Sequence, residues 1–450
     1  MTAELESQIE QWRGYVRRRQ AIAPADVEEM EGHLRDQLAD LVSSGLSEDE
    51  AFLVAVKRMG KLDDISREFA REHSQRLWKQ LVLTSAGEDD SPASSRNLMV
   101  ALAFAIAAAI AVRSAMTWLD DTVLARNASL IVLPFVTGYF AWTRQLANRT
   151  VVVTLATYGG AALAINLYPW QTATLGTEST TEVLAATHLP IALWFIAGLA
   201  YAAGEWRSQA RRMDFIRFTG EWVVYLALLA LGGGVLVGVT VNTFSALGVG
   251  NPEAIAEWVV PTGAAGATVV AAWLVEAKQA VVENIAPVLT RVFTPLTVVM
   301  LLAVIGAFVV RFNLVDVDRE LLILMDVVLV LVLGLILYAI SARDPQAPPS
   351  WFDRLQLGLL VVALAADALL LATMITRIAD AGVTANKVAA LGLNLVLLVN
   401  LAWSTRLAAG FVRERTSFGA MEKWQTDYLP VYGLWATFVL AVLPVLFVFR

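Results

Sequence analysis

The chain has 450 residues, 57% hydrophobic and 17% charged, well below the quarter of charged residues usual in soluble domains. It has no cysteine, which excludes disulfides, zinc–thiolate and iron–sulfur sites and thiol catalysis, and its formal charge of −7 argues against direct nucleic-acid binding. The average conceals a division: residues 1–80 hold 16 acidic and 12 basic side chains, whereas 47 charged residues are spread over the other 370. The expected fold class is therefore all-α, with a small polar helical module at 1–82, a linker at 83–96 and a polytopic helical membrane domain at 97–450.

The first 30 residues are densely charged and lack the apolar core of a signal peptide, so the module is expected to stay in the cytosol. Leu5, Ile9, Trp12 and Val16 mark one helical face. A second helix opens near Pro24, suited to a first helical turn, and carries Val27, Met30, Leu34, Leu38 and Leu41 to a stop at Gly45. Ser47 to Glu50 reads as a capping box for a third helix through Phe52, Val56 and Met59. A fourth starts near Asp63 with Ile65 and Phe69. Four short helices bury only a small core.

The stretches Gly45-Leu-Ser-Glu-Asp-Glu-Ala51, Ala55-Val-Lys-Arg-Met-Gly60 and Ile65-Ser-Arg-Glu-Phe69 resemble the permease prefix domain, or HAAS helical signalling domain. That resemblance implies a cytosolic helical module ahead of a bacterial transmembrane region, partnered by a PadR-type winged-helix regulator through residues 1–82.

Residues 84–96 are polar and rich in small side chains, as a linker should be. Beyond them, eleven apolar stretches approach the ~20 residues needed to cross a bilayer, the last at Leu429–Phe449. Assigning the module to the inside puts 14 Lys and Arg in inner loops and seven on the outer side, which satisfies the positive-inside rule. The expected topology is amino terminus in, carboxyl terminus out, in a bacterial cytoplasmic membrane. Gly234 and Gly238 at G-x-x-x-G spacing, and the run Gly263 to Ala267, suggest close helix contacts.

Ionisable groups within hydrocarbon are costly and so mark functional candidates. Asp367 lies deep in the ninth stretch. Asn394 and Asn400 lie in the tenth, and the turn near Gly382 puts Asp367 and Asn394 at similar depth in antiparallel neighbours. Such a carboxyl–amide pair could bind a cation, relay a proton or simply satisfy itself across a helix contact. Asp326 in the eighth stretch is expected to pair with Arg113 or Arg311 near the outer face.

The outer turn carries Arg377, Gly382, Thr384, Asn386 and Lys387. Its sequence resembles the R-I-x-x-x-G-[LV]-T-x-N-[RK] signature of an uncharacterised family of bacterial polytopic membrane proteins, which implies a helical hairpin but no reaction. In physical terms Gly382 can take positive φ, Thr384 can cap the next helix, and Arg377 and Lys387 can meet headgroups or an anion.

His33, His73 and His188 are far apart, and Gly60-Lys61-Leu62 is no P-loop. No catalytic residue, metal site or cofactor is expected, and the chain is not expected to be an enzyme. Three functions remain: a membrane signalling or regulatory protein, in which the prefix couples the membrane domain to its partner; a secondary permease with a polar site near Asp367 and Asn394; and, weakest, a lipid-modifying enzyme. Self-association into a homo-oligomer is compatible with all three, and the lipid bilayer is the partner in each.

Overall fold

The computed structural model describes residues 24–43, 92–170, 179–246, 253–277, 285–311 and 319–449, together with Ile9, Leu46, Ala51, Phe52, Ala55 and Asn251. The chain divides into two units, Met1–Asp90 and Ser91–Arg450, and the described residues contain helices and no strand.

In the first unit α1 runs over Pro24–Ser43, beginning at the proline because its missing N–H and fixed φ suit a first turn. Leu34, Leu38 and Leu41 are buried in it at helical spacing, and Ile9, Ala51 and Ala55 are buried as well. An Arg35–Glu31 pair of 2.9 Å braces the exposed side, one turn apart as helical neighbours must be. The other three helices expected here lie outside the described residues except for these isolated positions.

The second unit contains α2 (Pro92–Trp118), α3 (Asp121–Thr143), α4 (Asn148–Leu167), α5 (Thr180–Tyr201), α6 (Gln209–Ala246), α7 (Glu253–Ala277), α8 (Ile285–Arg311), α9 (Arg319–Ser341), α10 (Trp351–Ala381), α11 (Ala385–Val412), α12 (Phe418–Ala441) and the single turn α13 (Leu443–Leu446). Among the described residues ten helices, α2 to α11, are long and apolar enough to cross a membrane. The expected eleventh stretch is divided. Helix α12 starts at Phe418, so its first half is polar, and it ends at Ala441 before Pro444 opens α13.

The two largest of the buried apolar clusters among the described residues share partly buried neighbours such as Met213 and Tyr432. One gathers Ala105 of α2, Phe140 of α3, Ala197 of α5, Phe218 of α6 and Val269 of α7. The other gathers Leu301 of α8, Leu329 of α9, Leu360 of α10, Leu397 of α11 and Met421 of α12. Helix α12 joins them, since its Leu429 belongs to the first core. The outer surface is itself apolar: Ile106, Leu155, Leu231, Val299 and Leu331 are all more than half exposed. Leaving so much contiguous apolar surface in water would be costly, and a bilayer removes that cost. The molecule is a multi-pass membrane protein.

Glycine acts here where a bulky partner approaches. A Cβ on Gly392 of α11 would run into the Trp435 ring of α12, and that ring stacks on Phe438 with centroids 5.3 Å apart. Gly392→Ala should therefore cost about 1–3 kcal/mol as overpacking, read as a lower midpoint in thermal unfolding of the detergent-solubilised protein. An unchanged midpoint would mean that Trp435 is free to swing aside. The expected contact at Gly234 and Gly238 is corrected: both face open space, as does Gly263. In that second run Ala265 is buried against Ala108 and Val112 of α2, and a Cβ on Gly266 would come 3.5 Å from the Ala105 carbonyl of α2. The G-x-x-x-G spacing lets backbones approach, but α6 turns that face outward.

Candidate functional site: an intramembrane carboxyl cluster

Three helices build the site. In α9 the buried residues Leu322, Met325, Leu329, Val332 and Ile336 recur at three- and four-residue intervals, one stripe facing the core. Asp326 follows Met325 and so sits half-buried at the edge of that stripe. On α10, Asp367 lies between Ala366 and Leu370 and is 0% exposed. On α11, Asn394 is also 0% exposed. At 1.5 Å per residue Asp367 is about 21 Å from the Ala381 end of α10, Asn394 about 14 Å from the Ala385 end of α11, and Asp326 about 10 Å from the Arg319 end of α9.

The Asn394 amide donates to Asp326 Oδ1 at 2.9 Å and to the Ala390 carbonyl at 2.8 Å, which ties α11 to α9. Both carboxyl oxygens of Asp367 are buried without a hydrogen bond to the protein, and so is the Asn394 Oδ1. Asp367 is near enough to Asp326 for the two carboxyl groups to interact electrostatically. Ionised, Asp367 would lack a compensating cation; protonated, its O–H would lack an acceptor. Buried polar groups in native proteins are nearly always partnered, so the Asp367 carboxyl stands out. Asp326 and Asn394 are bonded to each other, and Asp367 on the neighbouring helix lies within electrostatic reach of Asp326. Among the described residues no group of three or more His, Asp or Glu side chains could hold a metal ion, and the small donor set suits a proton or a monovalent cation better than a divalent one, which takes six or more oxygens.

The structure separates Asn400 from this cluster. Asn400 donates to Gln425 Oε1 at 3.0 Å, Gln425 donates to Ser404 Oγ at 2.7 Å, and Ser404 donates to Asn400 Oδ1 at 3.2 Å. All three are 1% exposed or less. The closed ring locks α11 to α12 and ties each of the three side chains to the other two. The expected Asp326–Arg113 pair is not formed either. Asp326 takes its bond from Asn394, while the Arg113 guanidinium lies 3.3 Å from the centroid of Trp258, a contact that an arginine makes with an indole face without any carboxylate. The Arg311 side chain lies outside the described residues.

The turn after α10 shows why its residues occur together. Gly382 has φ of 74°, which favours glycine, and the Thr384 hydroxyl accepts from the Lys387 backbone N–H at 3.4 Å as the N-cap of α11. Lys387 Nζ donates to the carbonyls of Arg377 and Gly382, each at 2.8 Å. The lysine thus neutralises the carbonyl end of α10 and is turned inward instead of towards headgroups. Asn386 is half-buried beside it.

Two features carry no sequence signal of their own. At one end of the bundle Arg126 donates to Glu182 at 2.7 Å and to Asn166 at 3.3 Å, and Asn166 and Asn127 exchange amide bonds of 2.7 and 2.9 Å. At the other end Arg343 makes a bidentate pair with Asp353. Each joins residues that hydropathy reads only as loop charges.

No protein-family model, no curated protein and no solved structure matches the chain, so the reading of the site rests on its own residues.

Proposed function

We propose that the membrane domain is a permease driven by a proton or a monovalent cation, in which Asp367 carries the coupling charge and Asp326 and Asn394 complete its site. The observation behind this reading is the fully buried Asp367 carboxyl with no hydrogen bond on either oxygen. A structural carboxyl would be expected to hold a helix contact, as Asp353 does; a coupling carboxyl must be able to gain and lose its charge partner. The site lies where three helices meet, so loading it alters the balance among α9, α10 and α11, which is what coupling requires. In this reading the amphipathic module at the amino-terminal end faces the cytosol of a bacterial cell, and its resemblance to the permease prefix domain makes it the input from a PadR-type or similar cytosolic partner.

The test is uptake of protons and of sodium by the full-length protein in liposomes under an imposed membrane potential. Uptake of one of the two above that of protein-free vesicles is expected, with loss of that uptake in Asp367→Asn while the protein still elutes as a folded species. Uptake of neither ion, or uptake unchanged by the substitution, would overturn the permease reading and leave the signalling one.

A further inference from the structure

A second polar site lies at the end of the bundle where Arg144, Arg211 and Arg217 cluster. A cavity of about 300 Å³ is lined there by these three arginines, by Asp214 and Glu221 of α6, and by Tyr201 of α5, a volume at the small end of ligand-binding clefts. Helix α6 explains its position. Its first turns, Gln209 to Arg217, are polar, and its long apolar run begins near Phe218, so the cavity sits where the chain passes from water to hydrocarbon.

The contacts inside show what is already committed. Arg144 donates one nitrogen to Glu276 at 2.9 Å and stacks over Tyr201 at 4.8 Å, but its buried Nε has no acceptor. Arg217 donates to the Ser341 carbonyl through Nε and one Nη. Arg211 makes only a long 3.4 Å contact with Glu205 and is nearly half exposed. At the same end the buried Tyr338 hydroxyl has no partner; its ring is held where Gly220 allows α6 to come close.

Three guanidinium groups beside two carboxylates are poorly matched to a simple ion of either sign. A bare anion would meet Asp214 and Glu221, and a bare cation would meet the arginines. A molecule with both charges suits the mixed lining: phosphate oxygens take several arginine donors at once, while an ammonium group faces the exposed Asp214 carboxylate. We propose that this cavity binds a phosphate ester that carries an amine, the chemistry of phosphoethanolamine, supplied either as a phospholipid headgroup at the membrane surface or as a free solute.

The full-length protein in detergent would be titrated calorimetrically with phosphoethanolamine, with inorganic phosphate and with ethanolamine, and lipid retention would be followed by native mass spectrometry with phosphatidylethanolamine or phosphatidylglycerol. Saturable binding of phosphoethanolamine supports a solute site, and selective retention of phosphatidylethanolamine alone supports a headgroup site. Arg144→Gln should weaken the bound form by about tenfold, as expected for loss of a charge-assisted contact. Arg211→Gln and Asp214→Asn alter exposed side chains and should leave folding intact while lowering affinity and amine selectivity respectively. The proposal is overturned if neither form binds, if inorganic phosphate or phosphatidylglycerol binds equally well, or if both exposed variants bind as the parent does.

Discussion

Asp367→Leu is expected to make the protein more stable while removing its ion coupling. Leucine keeps a branch at Cγ but replaces two buried oxygens that have no hydrogen-bond partner with methyl groups that can pack against Ala363, Ala366 and Leu370 of the same core. An unsatisfied buried polar group costs about 1–3 kcal/mol, more if charged, and a native protein retains such a cost where function needs it. The expected gain is of that order, less whatever the added volume costs in overpacking. It would be measured as a higher midpoint in thermal or SDS-induced unfolding. Asn394→Leu supplies the opposite sign: it removes the donor to Asp326 and should destabilise by about 1–3 kcal/mol. If Asp367→Leu instead lowered stability as much as Asn394→Leu does, Asp367 would be holding a structural contact and the coupling role would fall.

The part of this site that was legible in the sequence follows from helix geometry. A single acid within an apolar stretch is conspicuous, and Asp367 is fully buried; counting from the turn at Gly382 suggests that Asn394 lies level with it, whereas the two are about 21 and 14 Å from the ends of α10 and α11. The identity of the Asn394 partner was not legible, because α9 is not joined to α11 by a short turn and nothing local selects Asp326 over Asp367. The same holds for the long-range ion pairs Arg144–Glu276 and Arg212–Asp427. Charge placement sorts such residues between the two membrane faces, yet the partner of each depends on how distant helices pack. Glycine shows the reverse problem. The patterned Gly234 and Gly238 face open space, whereas the unpatterned Gly220 and Gly392 accept the rings of Tyr338 and Trp435. Their role is set by a bulky residue on another helix, which spacing along their own helix does not reveal. The split of the last apolar stretch was also hidden, since hydropathy averages across Pro444 and takes no account of the polar start of α12.

Arg343→Ala is expected to be the most damaging single substitution outside the carboxyl cluster, with a loss of about 3–5 kcal/mol, the cost of breaking a buried ion pair from one side. Arg343 donates to Asp353 at 2.7 and 3.2 Å, to the carbonyl of Asp344 at 2.7 Å, and to those of Ala347 and Pro348 at 3.0 Å each. Its guanidinium also lies over Phe411 and Phe418, 4.6 and 4.5 Å from their centroids. One planar side chain therefore shapes the loop between α9 and α10 and presses it against the turn between α11 and α12. Asp353 is only 5% exposed and also accepts from the backbone N–H and hydroxyl of Ser350 in the capping box that starts α10. Losing the arginine leaves this acid buried with its charge unmatched. Arg343→Lys should restore little, because a lysine presents a point charge where a fork of donors is needed. In a double-mutant cycle the combined Arg343→Ala, Asp353→Ala variant should be markedly less destabilised than the sum of the two single changes, since the second removes the charge that the first strands. Additive losses would mean that the carbonyl and aromatic contacts of Arg343 hold the loop and that its bond to Asp353 does not. A large positive coupling would make this pair the clasp that sets the angle between the α9–α10 and α11–α12 hairpins, the same helices that carry Asp326, Asp367 and Asn394.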